Sequence, residues 1–147
     1  MNRVGVHALV WVGGWSEAEC RRAIENSRAA GYDLIEIPVL DPLAIDVAMT
    51  RKVLDDTGLN ATCSLGLSLD TDISSSDPDV VARGERLLHD ALAVTRDLGG
   101  EYLGGVLSSA LGRYTQPPTP QGRANCVRVL HKLAEQAAAS NSQRCKG

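Results

Sequence analysis

Leu9-Val-Trp-Val-Gly-Gly-Trp15 decides the architecture. The stretch lies where a first apolar, strand-like run passes into a first helix. In an open nucleotide-binding sheet, that turn carries the phosphate loop. A diphosphate needs glycines spaced as GxGxxG or GxxxxGK[ST], so that backbone amides converge on it. The Gly13-Gly14 pair has neither spacing, and Trp11 and Trp15 would crowd a diphosphate. The turn therefore favours a barrel over an open nucleotide-binding sheet.

Working outward, one grammar repeats four times: a short apolar run rich in β-branched residues, a loop, then an amphipathic stretch. The strand candidates are Arg3–Leu9, Asp33–Val39, Asn60–Leu67 and Glu101–Leu107. Their near-continuous apolar character fits parallel strands covered on both faces. Ser16 with Glu19 reads as a capping box, and Asp41-Pro42, Asp77-Pro78 and Thr119-Pro120 each place a cap residue before a first-turn proline. Gly31, Gly58 and Gly99 fall where the first three helices should stop.

The third helix, about Pro78 to Leu98, collects Val81, Leu88, Ala91, Leu92, Thr95 and Leu98 on one side and turns Arg83, Glu85, Arg86 and Asp90 to water. The fourth, about Pro120 to Ser140, offers Val127, Leu130, Ala134 and Ala137. Two long loops, Ser68–Ser76 and Ser108–Gln121, follow the third and fourth strands. They lie at the strands' C-terminal ends, where α/β folds place their sites. A full barrel takes ~250 residues and eight strands. The 147 residues here supply four.

Composition narrows the partners. With 44% hydrophobic and 22% charged residues the chain reads as one ordinary globular domain. A net charge of −3 gives no electrostatic footprint for nucleic acid or an anionic membrane. No window approaches ~18 consecutive apolar residues, and Met1-Asn2-Arg3 opens no signal-like pattern, so a cytoplasmic location is expected. Cys20, Cys63, Cys126 and Cys145 form no CxxC pair; they read as reduced thiols, three packed and Cys145 in a polar tail.

Four segments in register carry a family resemblance: Arg3-Val-Gly-Val with Trp11 and Trp15, Ala29-Ala-Gly-Tyr-Asp-Leu-Ile-Glu-Ile37, Gly58-Leu-Asn-Ala-Thr-Cys-Ser-Leu-Gly-Leu67, and Leu98-Gly-Gly-Glu-Tyr-Leu-Gly-Gly-Val-Leu107. Together they resemble the N-terminal half of the ketose 3-epimerases of the D-tagatose/D-psicose 3-epimerase type, within the xylose isomerase-like TIM barrels. The resemblance implies an α/β fold of four βα units forming the N-terminal half of a (β/α)8 barrel over residues 3–140, with a polar, non-family tail at 141–147. It implies metal-dependent epimerisation at C3 of a ketose sugar, with manganese or cobalt held by two Glu, one Asp and one His from the later strands. Those ligands fall beyond Ser140, so no metal or catalytic residue is carried over and no cofactor is expected in these residues. The chain is expected to be a truncated, catalytically incomplete member.

What carries over is substrate contact. His7 matches a position where an aromatic side chain usually meets the sugar, although a core-edge histidine is the bland alternative. Trp15, and less so Trp11, match first-loop aromatics that cover the sugar's apolar face; the alternative is a plug at the barrel mouth. Ser64 and Val106 match small or apolar pocket walls, and Leu111 stands where the family often has tryptophan, which reduces the aromatic platform. Glu36 stands out without the family, because a charge inside Leu34-Ile-Glu-Ile37 must pair or lie at a site rim. His89 and His131 read as surface or sheet-edge histidines. No motif supports a Ser-His-Asp or Cys-His arrangement.

Two other readings compete. One is a non-catalytic half-barrel that acts by self-association or by pairing with another half. Its outer strands would have open edges, and Val6, Ile35, Ile37, Leu65 and Leu103 form a candidate apolar inner face, so a homo-oligomer or aggregation is expected. The other is an endonuclease IV-like, zinc-dependent fold, which the acidic balance and the lack of a basic loop oppose.

Overall fold

Burial alternates along the second and third strands, as a sheet covered by helices on one side requires. The computed structural model describes residues 2–112 and 114–144. It contains β1 (Gly5–His7), α1 (Glu17–Ala29), β2 (Leu34–Pro38), α2 (Val47–Thr57), β3 (Asn60–Leu67), α3 (Pro78–Asp97), β4 (Leu103–Ala110) and α4 (Pro120–Arg144). The sheet order is β1-β2-β3-β4. β1 pairs parallel with β2, setting His7 beside Glu36, and β2 pairs parallel with β3, setting Glu36 beside Thr62 and Pro38 beside Ser64. This is the alternating βα topology of the N-terminal half of a TIM barrel. Among the described residues no helix is long and apolar enough to cross a membrane.

The local signals act as their chemistry dictates in most places. Ser16 Oγ accepts the Glu19 amide while the Glu19 carboxylate accepts the Ser16 amide, closing the capping box of α1. Thr119 Oγ1 accepts the Gly122 amide at the start of α4. α2 ends at Gly58, whose φ of 66° is left-handed.

Four boundaries differ from the sequence reading. β1 stops at His7, because Ala8–Val10 coils into a 3₁₀ turn. β4 begins later and runs on to Ala110, so Ser108 and Ser109 are strand rather than loop. Asp41 caps nothing; Pro42–Ala44 is a single 3₁₀ turn, Ile45 is extended, and α2 starts only where the Asp46 carboxylate accepts the Met49 amide at 2.9 Å. Of two aspartates five residues apart, the chain uses as its cap the one that the sequence reading passed over, whose carboxylate reaches a free amide. α4 continues past Ser140 to Arg144, since neither Gly nor Pro interrupts it. Cys145 lies outside the described residues.

The chain divides into two units. The first comprises residues up to Leu65 together with Ala93–Gly104. Its core is Cys20, Ala23 and Ile24 of α1, Ile35 and Ile37 of β2, Val39, and Val53 of α2, each at most 1% exposed. Arg3 Nη1 donates to Glu101 Oε1 at 2.6 Å, and Nη2 donates to Oε2, joining the approach to β1 with the approach to β4.

The second unit comprises Gly66–Leu92 and the chain from Gly105 onward, with Leu67, Ile73, Leu88 and Val129 fully buried. Here the β3–α3 loop is clamped by close approach. A Cβ on Gly84 of α3 would lie 2.1 Å from the Thr71 carbonyl oxygen, and one on Gly122 of α4 would lie 2.0 Å from that of Ser74. Only glycine admits the backbone so near. This seating also sets the phase of α4: Val129 and Leu133 are buried, whereas Val127 is 69% exposed and Ala134 is exposed, contrary to the stripe read from sequence. Glu85, expected to face water, is mostly covered and accepts from Arg128 and Lys132 of α4.

The candidate apolar inner face is also corrected. Ile35, Ile37 and Leu65 are at most 3% exposed, while Val6 and Leu103 are only half-buried. Among the described residues the helices are the layer that covers the strands, so the buried isoleucines and Leu65 lie on the helix side. Their alternates, Glu36 and Ser64, occupy the open side.

Candidate functional site

His7 ends β1, and the 3₁₀ turn that follows fixes its ring: Nδ1 accepts the Leu9 amide at 3.1 Å. A neutral imidazole accepting at Nδ1 carries its hydrogen on Nε2. That nitrogen lies 3.3 Å from Ser64 Oγ on β3 and 3.5 Å from Glu36 Oε1 on β2. Cross-strand register accounts for the meeting, since His7, Glu36, Pro38 and Ser64 all belong to the open face. The His7 and Glu36 side chains are 35% and 44% exposed, so Glu36 both touches an imidazole and faces outward.

Three side chains of nucleophile, base and acid type stand together, yet the arrangement is not an acyl-transfer triad. A triad needs the acid on one ring nitrogen and the hydroxyl on the other. Here both sit at Nε2, and the far nitrogen is occupied by a backbone amide. In the tautomer that the Leu9 amide favours, His7 donates toward this cluster and does not take the Ser64 proton.

Trp15 is half-buried, and its Nε1 donates to Thr50 Oγ1 at 3.0 Å, on a fully buried threonine of α2 that also contacts Cys20 Sγ. The ring borders a cavity of about 460 Å³ lined by Leu9, Pro38, Leu40, Asp41 and Ile45, at the C-terminal ends of β1 and β2. Trp11 turns instead to α1, donating to Ser27 Oγ at 2.9 Å. In the second unit, Val106 is half-buried on β4. Leu111 is 73% exposed, with its amide on the Leu67 carbonyl and its side chain beside Gly66. Thus the structure brings His7, Glu36 and Ser64 into contact and anchors Trp15 separately on α2.

Sequence reasoning missed the tryptophan anchors Thr50 and Ser27; a hydroxyl on the buried stripe of each helix is the signal that points to them. It also missed Asp72. This buried carboxylate accepts from the Ser74 amide and hydroxyl and from Tyr114 Oη, each within 2.8 Å, while Tyr114 Oη accepts the Ala110 amide. The two long loops are therefore fastened to each other rather than open.

At the three described cysteines burial disfavours the thiolate. Burial pushes Cys63 up to about 11 despite a hydrogen bond with Thr95, and burial raises Cys20 and Cys126 as well. His89 hydrogen-bonds Gln136, and His131 lies 3.4 Å from Glu135 on the exposed side of α4.

A divalent cation of the kind the resemblance implies finds no matching donor set among the described residues. No three His, Cys, Asp or Glu side chains come together. A ligating imidazole offers a lone pair to the metal and a hydrogen to a partner behind it. With Nδ1 accepting the Leu9 amide, the His7 ring is turned the opposite way from a ligating imidazole, and these residues do not fit such an ion.

The model of the family described as xylose isomerase-like TIM barrel matches residues 24–143. L-ribulose 3-epimerase of Methylomonas sp. (strain DH-1) is 50% identical over 134 residues, covering 91% of this chain and 47% of that protein. Ketose 3-epimerase of Arthrobacter globiformis is 40% identical over 136 residues, covering 92% and 47%. The crystal structure of D-allulose 3-epimerase from Methylomonas sp. in complex with D-allulose superposes with a TM-score of 0.90 at 48% identity, covering 95% of this chain and 49% of that one. The chain spans about half the length of the curated relatives it matches.

Proposed function

This chain belongs to the xylose isomerase-like TIM barrel family, and from that premise we propose that it is the sugar-facing N-terminal half of a ketose 3-epimerase. The observation that carries the reading is the convergence of His7, Glu36 and Ser64 on the open side of the sheet, where hydroxyl groups of a ketose can exchange hydrogen bonds with them. Trp15 supplies an apolar ring for a C–H face of the sugar. Because the relatives named above are 3-epimerases, a sugar is favoured over the DNA substrate of an endonuclease IV-like fold.

Epimerisation beside a carbonyl needs a base, an acid and an electrophile to hold the enediolate. We assign none of these roles to the residues of this chain. They bind and orient, and the 147 residues do not turn over alone. The test mixes this chain with the later four βα units of the Methylomonas relative and measures conversion of D-allulose to its C3 epimer with manganese or cobalt added. Conversion by the mixture and none by the chain alone is the expected result. Turnover that follows the purified chain by itself overturns the assignment.

A second reading, self-association, is favoured by one observation. β1 and β4 are the outer strands of the sheet, and Leu9 and Val10 stand more than half exposed just beyond β1. Light scattering at tens of micromolar decides it: a defined dimer supports a second copy as partner, and a monodisperse monomer removes it.

A further inference from the structure

We infer that the Leu9 amide sets the chemistry of the open face by holding His7 as an Nε2–H donor, which makes His7, Glu36 and Ser64 a reader of a neutral vicinal diol rather than of a metal or an acyl group. The inference rests on the sugar-binding reading above and deepens it. Hydrogen counting carries it. The Leu9 N–H occupies the Nδ1 lone pair, so the single imidazole hydrogen is on Nε2, 3.3 Å from Ser64 Oγ. Since Ser64 Oγ accepts that hydrogen, its own hydroxyl hydrogen is free to donate outward. The Glu36 carboxylate, 44% exposed, has only lone pairs to offer. One outward donor beside one outward acceptor matches two adjoining hydroxyls, one accepting from Ser64 and one donating to Glu36. A phosphate monoester would meet the Glu36 charge, and a cation would need the Nε2 lone pair that the hydrogen occupies.

His7 Nε2 thus acts through Ser64 as a positioning group, and Leu9 acts through His7. The experiment uses the whole chain labelled with nitrogen-15 in histidine, and reads the protonated nitrogen of His7 from two-bond proton–nitrogen correlations, assigned with His7→Asn. His7 is expected as Nε2–H in the parent and also in Glu36→Gln and Ser64→Ala, because the backbone amide sets it. D-allulose should shift the His7 signals without changing the tautomer, and Ser64→Ala should weaken that binding roughly threefold to tenfold. Equimolar inorganic phosphate and manganese chloride should leave His7 unshifted and unbroadened.

An Nδ1–H ring in the parent, or a tautomer that reverses in Glu36→Gln, overturns the inference and leaves the sugar reading standing. Broadening of His7 by manganese overturns it in favour of a metal site. An Nε2–H ring that ignores D-allulose, also when the later four βα units are supplied, overturns the diol assignment together with the function proposed above.

Discussion

Ile35 and Ile37 on one side of β2, and Glu36 between them on the other, share a strand and differ in everything else. The isoleucines are fully enclosed by helices that the same chain supplies, and Cys63 and Leu65 of β3 continue that layer. Glu36, with His7 and Ser64, touches its polar neighbours and keeps contact with solvent. The helix-covered face is finished within these residues. The open face has hydrogen-bonding capacity left over, which is what a binding surface needs and a core avoids.

The contrast can be broken most severely by catalysis. If the open face only binds and orients, the chain alone should epimerise D-allulose more than ~10⁴-fold more slowly than the Methylomonas relative, beyond the loss of one general acid or base. A rate within a hundredfold of that relative would put the proton-transfer groups on this face.

Next in size is the covered face. Ile37→Ala should lower unfolding free energy by about 3 kcal/mol in urea titrations, because a buried isoleucine loses both its transfer term and its packing. A loss under ~1 kcal/mol would mean that the layer between β2 and the helices is loosely packed.

Cys63 sharpens the comparison through pH. Its folded pKa of about 11 lies above the ordinary thiol value of 9, so between those values the folded chain holds more protons than the unfolded one. Stability must then fall as pH rises through that window, by about 2–3 kcal/mol from this group. Cys63→Ala should flatten the fall relative to the parent, and an unchanged slope would show that the thiol is not enclosed. Smallest of all, Glu36→Gln should alter stability by no more than ~0.5 kcal/mol, as expected for a solvent-facing pair. A loss several times larger would move Glu36 from the open face into the structural core.

Architecture was legible because it depends on local rules. The capping box at Ser16 and Glu19, the stop at Gly58 and the run Asn60–Leu67 each work within a few residues, and each stands where the sequence places it. The choice of Asp46 over Asp41 was not legible, since both are acidic residues before a helical stretch and only the fold determines which reaches an amide. Facing was misread for a related reason. Alternation says that Ile35 and Glu36 point opposite ways but not which way is out, and only the layer of helices breaks the tie. The α4 stripe failed because its phase is set by the seat of Gly122 on the Ser74 carbonyl and by Glu85 drawing Arg128 and Lys132 inward, contacts that no periodicity within α4 encodes. At the site, residue identities could be read but the proton could not: the state of His7 hangs on one amide two residues away.

The bond between Arg3 and Glu101 joins residues 98 apart, and the first unit is itself interrupted, taking in Ala93–Gly104 after the chain has gone elsewhere. During synthesis the N-terminal end therefore has no early moment of completion. β1 must wait, its arginine unmatched, until the ribosome has delivered the segment before β4. Chain length at release then becomes a sharp variable: nascent chains arrested before residue 104 should remain open to protease near the N-terminus, and those arrested well beyond it, with the segment clear of the exit tunnel, should be the first to resist.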